Sequence, residues 1–134
     1  MKNFIIIKNK ISSFVKKIEV SGDKSISIRC VLLASQAIGK SSIKNLLESQ
    51  DVIDSLNAIK KLGINYKKRK NTYDIYGRGI NGFYSSKNTK IYAGNSGTLA
   101  RLILGLLVNI KNKVIVTGDS SLSRRDFKRV TKPL

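Results

Sequence analysis

The chain has 134 residues, 41% of them apolar, a size and composition that suit one globular domain with a real core. It carries 26 basic and 8 acidic residues, a formal net charge of +18, so its natural partners are anions. One cysteine and no histidine exclude an internal disulfide, a Cys/His metal site and any Ser-His or Cys-His catalytic pair.

In chain order, Phe4 to Lys8 and Phe14 to Val20 read as two short strands joined by a polar turn. Ser21-Gly22-Asp23-Lys24-Ser25 follows, with Asp23 or Ser25 able to cap a helix from Ser25 to Ala37. Ile28, Leu32 and Ser35 or Gln36 share one side of that helix, and Val31, Leu33, Ala34 and Ala37 widen its apolar surface. Gly39 suits the position just past its end. Ser41 to Leu47 reads as a strand. Ser49 then caps a helix from Gln50 to about Leu62, whose buried stripe is Val52, Leu56, Ile59 and Leu62.

Ile64 to Lys68 and Thr72 to Tyr76 form a hairpin pattern, and Gly77 to Asn88 a polar loop. A strand from Thr89 to Ala93, a helix from Thr98 to Val108 capped by Thr98, and a strand from Lys113 to Thr117 come next. Ser123 reads as the cap of a last helix over Arg124 to Val130. The β-α-β-α-β order thus starts a second time and stops, which predicts that the chain is a fragment. The apolar run Phe4 to Ile7 is too short for a signal-peptide core, and no segment reaches membrane-spanning length, so a soluble, cytoplasmic chain is predicted.

Three of these turns carry basic residues: Lys24 with Arg29, the Gly94-Asn95-Ser96-Gly97-Thr98 turn with Arg101, and Arg124 with Arg125. A helix start offers free N–H groups and the positive end of a dipole, and so accepts an anion. A lysine there is disfavoured unless a phosphate or carboxylate offsets it. Arginine adds a two-pronged grip on either group. The other cations are scattered along the chain with no aromatic spacing for base stacking, which argues against a nucleic-acid module.

Ser21-Gly22-Asp23-Lys24-Ser25-Ile26-Ser27-Ile28-Arg29 resembles the amino-terminal substrate loop of 5-enolpyruvylshikimate-3-phosphate synthases. Gly94 to Leu102 resembles their second glycine motif, and Ser121-Leu122-Ser123-Arg124-Arg125 the segment carrying a third basic group. Asp51-Val52 and Leu62-Gly63-Ile64 also fall where the family has similar residues. Ser21, Ile28, Asp126 and Lys128 depart from the usual pattern.

The resemblance implies an α/β fold: part of an inside-out α/β barrel, the enolpyruvyl transferase fold, built from β-α-β-α-β-β units. Residues 1–20 would belong to the second domain of the full enzyme and 21–134 to about half of the first. It implies transfer of the enolpyruvyl group of phosphoenolpyruvate to the 5-hydroxyl of shikimate 3-phosphate, by addition and elimination, with release of phosphate. No metal and no organic cofactor are implied, and the full-length enzyme is expected to be a monomer with no nucleic-acid or membrane partner. By motif position Lys24 would contact phosphoenolpyruvate and assist proton transfer. Ser25 and Arg29 would hold shikimate 3-phosphate; Asn95 and Gly97 would line the phosphoenolpyruvate site. Arg125, with Arg124 as the alternate, would bind its anionic groups. The acid/base carboxylates lie outside the matched region, so the chain alone is predicted to be inactive and marginally stable. The rivals are an enolpyruvyl transferase acting on UDP-N-acetylglucosamine and a basic nucleic-acid-binding module.

Overall fold

The computed structural model describes Ile6, Lys8, Ser13, Val15 and residues 17–134. The strand expected over Phe4 to Lys8 and most of that over Phe14 to Val20 lie outside the described residues; residues 17–20 form no strand. The elements are α1 (Lys24–Gln36), β1 (Ile38–Lys44), α2 (Gln50–Lys61), β2 (Asn65–Arg69) and β3 (Thr72–Arg78), followed by β4 (Thr89–Tyr92), α3 (Gly97–Leu106), β5 (Val114–Thr117), α4 (Ser120–Ser123) and α5 (Lys128–Thr131).

Two sheets result. The first is antiparallel in the order β1-β3-β2, with Ile38 opposite Arg78 and Asn65 opposite Tyr76. The second is a parallel pair, β4 and β5, with Thr89 opposite Val114 and α3 as the crossover. Helix α1 packs on α2, α3 and β3, so both sheets share one core. Ile28 and Val31 of α1, Ile59 of α2, Ile75 of β3, Ile91 of β4 and Leu99 and Ile103 of α3 are fully enclosed in it. The expected stripe of α2, Val52, Leu56, Ile59 and Leu62, is buried throughout.

Several boundaries differ from expectation, each for a local reason. Of the two candidate caps of α1, Asp23 is the one used: its backbone is extended and its carboxylate accepts from the Ile26 N–H at 2.7 Å. Ser25 already lies inside the first turn. Ser96, not Thr98, caps α3, accepting from the Leu99 N–H at 3.1 Å. Thr98 likewise lies two residues past the cap, inside the first turn. Helix α1 ends in an extended Ala37 that leads straight into β1, so Gly39 is a strand residue and β1 lies three residues earlier than expected. Leu33 is 70% exposed and does not join the core.

The last helix is the largest correction. Asp119 caps a single turn, α4, by accepting from the Leu122 N–H at 2.7 Å. Ser123 closes that turn; its hydroxyl donates back to the Asp119 carbonyl at 2.7 Å. Arg124 and Arg125 therefore follow a helix end instead of opening a helix. The Asp126 carboxylate then accepts from the Lys128 N–H at 2.8 Å, a local turn from which α5 starts.

Candidate functional site

A cleft of about 250 Å³ opens where the first turns of α1, α2 and α3 meet the segment after α4. Each wall follows from local chemistry. The Asp23 cap puts Lys24 and Ser25 at the mouth. The Ser96 cap takes the Leu99 N–H and leaves the N–H groups of Gly97 and Thr98 without intrahelical partners, facing the same space. The turn at the end of α4 swings Arg125 across to them: its N–H donates to the Leu122 carbonyl at 3.1 Å.

Lys24, Arg101 and Arg125 are the three cations of this lining, and Asp51 is its one carboxylate. Lys24 Nζ lies 2.9 Å from Asp51 Oδ2. The two guanidiniums converge on Gly97. A Cβ built there would lie 2.8 Å from Arg125 Nη1 and 3.0 Å from Arg101 Nη1, so a residue without a side chain lets both reach the helix start. Arg101 is oriented by the Phe127 ring, whose centroid is 5.5 Å from its Cζ, while its buried Nε has no partner among the described residues. Gly94, which begins the turn, has φ +54° and sits against the buried Asp54; a Cβ there would meet Asp54 Oδ2 at 2.5 Å.

Arg125 is held from behind. Its Nη2 donates to Asn95 Oδ1, and Asn95 Nδ2 donates to Asp119 Oδ2 at 2.8 Å. The Leu122 N–H, with the Asn95 amide next, holds the Asp119 carboxyl below the usual carboxylate range against the opposing effect of burial.

Of the six candidate residues, Lys24, Ser25, Asn95, Gly97 and Arg125 line this one cleft; Arg124, the alternate to Arg125, does not. Arg29 does not either. It is exposed and lines a separate apolar groove of about 230 Å³ with Leu32, Leu33, Leu102 and Leu106. Five residues along a helix turn a side chain about 140° away from Lys24, which accounts for the separation. The third helix-start site does not exist as such, because Arg125 comes to the cleft from a helix end. Asp119 and Phe127 are structural partners that the sequence reading missed. An Asp three residues before Leu122 is a legible cap signal, but nothing in sequence ties it to Asn95 across 24 residues. Among the described residues no three His, Cys, Asp or Glu side chains are placed to share a metal ion.

A cleft of lysine, two arginines and a free helix start fits small phosphorylated or carboxylated ligands, and comparison with known proteins places it in a family. The model of the EPSP synthase family, 3-phosphoshikimate 1-carboxyvinyltransferase, matches residues 8–134. This chain belongs to the EPSP synthase family. It is 38% identical over 130 residues to the 3-phosphoshikimate 1-carboxyvinyltransferase of Alkaliphilus metalliredigens, covering 97% of this chain and 30% of that protein. It is 41% identical over 129 residues to that of Syntrophomonas wolfei, covering 93% and 30%. The solved EPSP synthase from Acinetobacter baumannii superimposes with a TM-score of 0.80 at 36% identity, over 89% of this chain and 27% of that one. The chain thus spans about 30% of the length of the curated relatives it matches, and its fold is a partial version of the α/β fold of EPSP synthases. No helix among the described residues is long and apolar enough to cross a membrane.

Proposed function

We propose that these residues form the amino-terminal part of an enzyme that moves the enolpyruvyl group of phosphoenolpyruvate onto the 5-hydroxyl of shikimate 3-phosphate. The observation that carries this reading is the convergence of Lys24, Arg101 and Arg125 on the open start of α3. In the reaction the 5-hydroxyl gives up its proton to a base as its oxygen bonds to C2 of phosphoenolpyruvate, and C3 gains a proton from an acid. The C2–O bond to phosphate then breaks as C3 returns a proton. Both substrates are polyanions, so bringing them together needs fixed positive charge that screens their repulsion and sets their orientation. Arg125 and the α3 start supply this for phosphoenolpyruvate. Lys24 contacts the same substrate and assists the proton transfer. Ser25 and Arg29 hold shikimate 3-phosphate, Arg29 from the neighbouring groove, and Asn95 and Gly97 complete the phosphoenolpyruvate side.

On this reading residues 1–20 belong to a second domain and 21–134 to about half of the first. The whole enzyme is a cytoplasmic monomer, and its basic surface attracts small anions, not nucleic acid. A chain spanning about 30% of its relatives lacks the rest of the site, so it binds substrate without turnover.

The test is a chimera in which this chain replaces the matching segment of the Alkaliphilus metalliredigens enzyme. Phosphate release that needs both substrates, and that Lys24→Met abolishes, is expected. A folded chimera without that activity, or turnover by the 134 residues alone, overturns the proposal.

A further inference from the structure

The cleft-lining Arg125 is aimed by a residue that does not itself line the cleft. Asp119 sits between β5 and α4, and five hydrogen bonds, among them the one its carbonyl accepts from the Ser123 hydroxyl, make it the joint between the glycine turn and the arginine segment. Its N–H donates to the Gly94 carbonyl at 2.9 Å, and its own carbonyl accepts from the Ser123 N–H at 3.0 Å. One carboxylate oxygen takes the Leu122 N–H at 2.7 Å, and the other takes Asn95 Nδ2 at 2.8 Å.

The chemistry of these groups allows one arrangement only. An ionised carboxylate accepts and never donates, so Asn95 must turn its NH₂ toward Asp119. Its carbonyl oxygen is then forced to the opposite side, where it receives Arg125 Nη2. With that nitrogen anchored, Nη1 of the same guanidinium is left facing Gly97 and the α3 start.

From this geometry we infer that Asp119 is a positioning residue: through the amide of Asn95 it fixes which way Arg125 presents its guanidinium to the anion in the cleft. The inference rests on the proposed function for the identity of that anion. The orientation of Arg125 is independent of it.

Asp119→Asn separates the two jobs of this side chain. Asparagine caps a helix as well as aspartate does, so Leu122 keeps its acceptor and α4 its start. The remaining amide NH₂ then faces the NH₂ of Asn95. Asn95 turns over to offer its oxygen instead, and presents donors to Arg125 where it had offered an acceptor.

The experiment uses the 134-residue chain, with phosphoenolpyruvate as the ligand. Calorimetry is expected to show binding weakened about tenfold in Asp119→Asn, the loss of one charge-assisted hydrogen bond. Asn95→Ala, which leaves Asp119 intact, is expected to give a similar loss. In an Arg125→Ala background Asp119→Asn is expected to have no further effect, a non-additivity that a merely structural role would not produce.

The unliganded chain gives a second reading. The two Nη resonances of Arg125, assigned by their absence in Arg125→Ala, are expected to be resolved in the parent and to average together in Asp119→Asn. Resonances that stay resolved in Asp119→Asn, or an equal loss of binding in both backgrounds, overturn the inference. If the parent binds no phosphoenolpyruvate while the resonances behave as described, the functional reading fails and the positioning of Arg125 stands.

Discussion

Lys24 and Asp51 form the only ion pair inside the cleft among the described residues, Nζ to Oδ2 at 2.9 Å, with Lys24 half exposed and Asp51 partly buried. The carboxylate steadies the ammonium but also places a negative charge beside an incoming anion. Asn at position 51 keeps a hydrogen bond to Nζ and removes that charge. At a few ångströms in a wet site a unit charge is worth about 1 kcal/mol, so Asp51→Asn is expected to tighten phosphoenolpyruvate binding about fivefold at low salt. The gain should shrink below about twofold near 0.5 M salt, where screening is nearly complete. Titrations at the two ionic strengths check this, and weaker binding in Asp51→Asn at low salt would show that steadying Lys24 matters more.

Gly97 lies where two arginine ends meet, so Gly97→Ala places a methyl group 2.8 and 3.0 Å from their Nη1 atoms. Those atoms are the tips of flexible side chains and can withdraw. The backbone gains from alanine in a helical position, about 0.5–1 kcal/mol before any crowding cost. The expected outcome is a chain at least as stable in urea that binds phosphoenolpyruvate about tenfold more weakly, because both guanidiniums have been moved off the α3 start. Equal affinity in the folded variant would mean that the arginines do not act at that spot.

The site was legible in sequence where one local signal sufficed. Gly97, Lys24 and Asn95 sit in turns marked by glycine, a cap and a following apolar run, and the helices and hairpin those runs predict are present. What failed was competition between neighbouring caps. Asp23 or Ser25, Ser96 or Thr98, and Asp119 or Ser123 offer similar side chains. The choice falls on the residue whose backbone is extended, which sequence does not display. Sequence proximity groups Arg29 with Lys24 in one basic turn, but the helical angle between positions 24 and 29 points them apart. The links of Phe127 to Arg101 and of Asp119 to Asn95 could not be found from sequence, because the partners are 26 and 24 positions apart.

Three carboxyls lie below their ordinary range, and they predict how stability depends on acid. Asp74 is enclosed on β3, held down first by the Ser42 hydroxyl at 2.6 Å and then by Arg69, with burial opposing. Asp119 is held by the Leu122 N–H, and Glu48 by Lys68. A carboxyl whose folded value is depressed contributes stability above its unfolded value and loses it as pH falls through the folded value. The urea midpoint is therefore expected to be flat near neutrality and to drop from about pH 4.5 downward. Asp74→Asn should lower the midpoint at neutral pH and flatten the acid slope. An unchanged slope would show that the Ser42 and Arg69 contacts bring Asp74 no stabilisation.

Leu33 and Ile59 test whether the core ends where the structure draws it. Ile59 is wholly enclosed between α1, α2 and the sheets, so Ile59→Ala opens a cavity and is expected to cost about 2–5 kcal/mol in this chain. Leu33 is 70% exposed on α1, in the groove it lines with Arg29 and Leu102, and Leu33→Ser is expected to change stability by no more than about 0.5 kcal/mol. The same substitution placed in the chimera with the Alkaliphilus metalliredigens enzyme asks a different question. If the additional polypeptide packs on this groove, Leu33→Ser becomes a core substitution there and costs about 2 kcal/mol or more. Urea unfolding of both proteins measures the difference, and equal small effects in chain and chimera would leave the groove as solvent-facing surface in the whole enzyme.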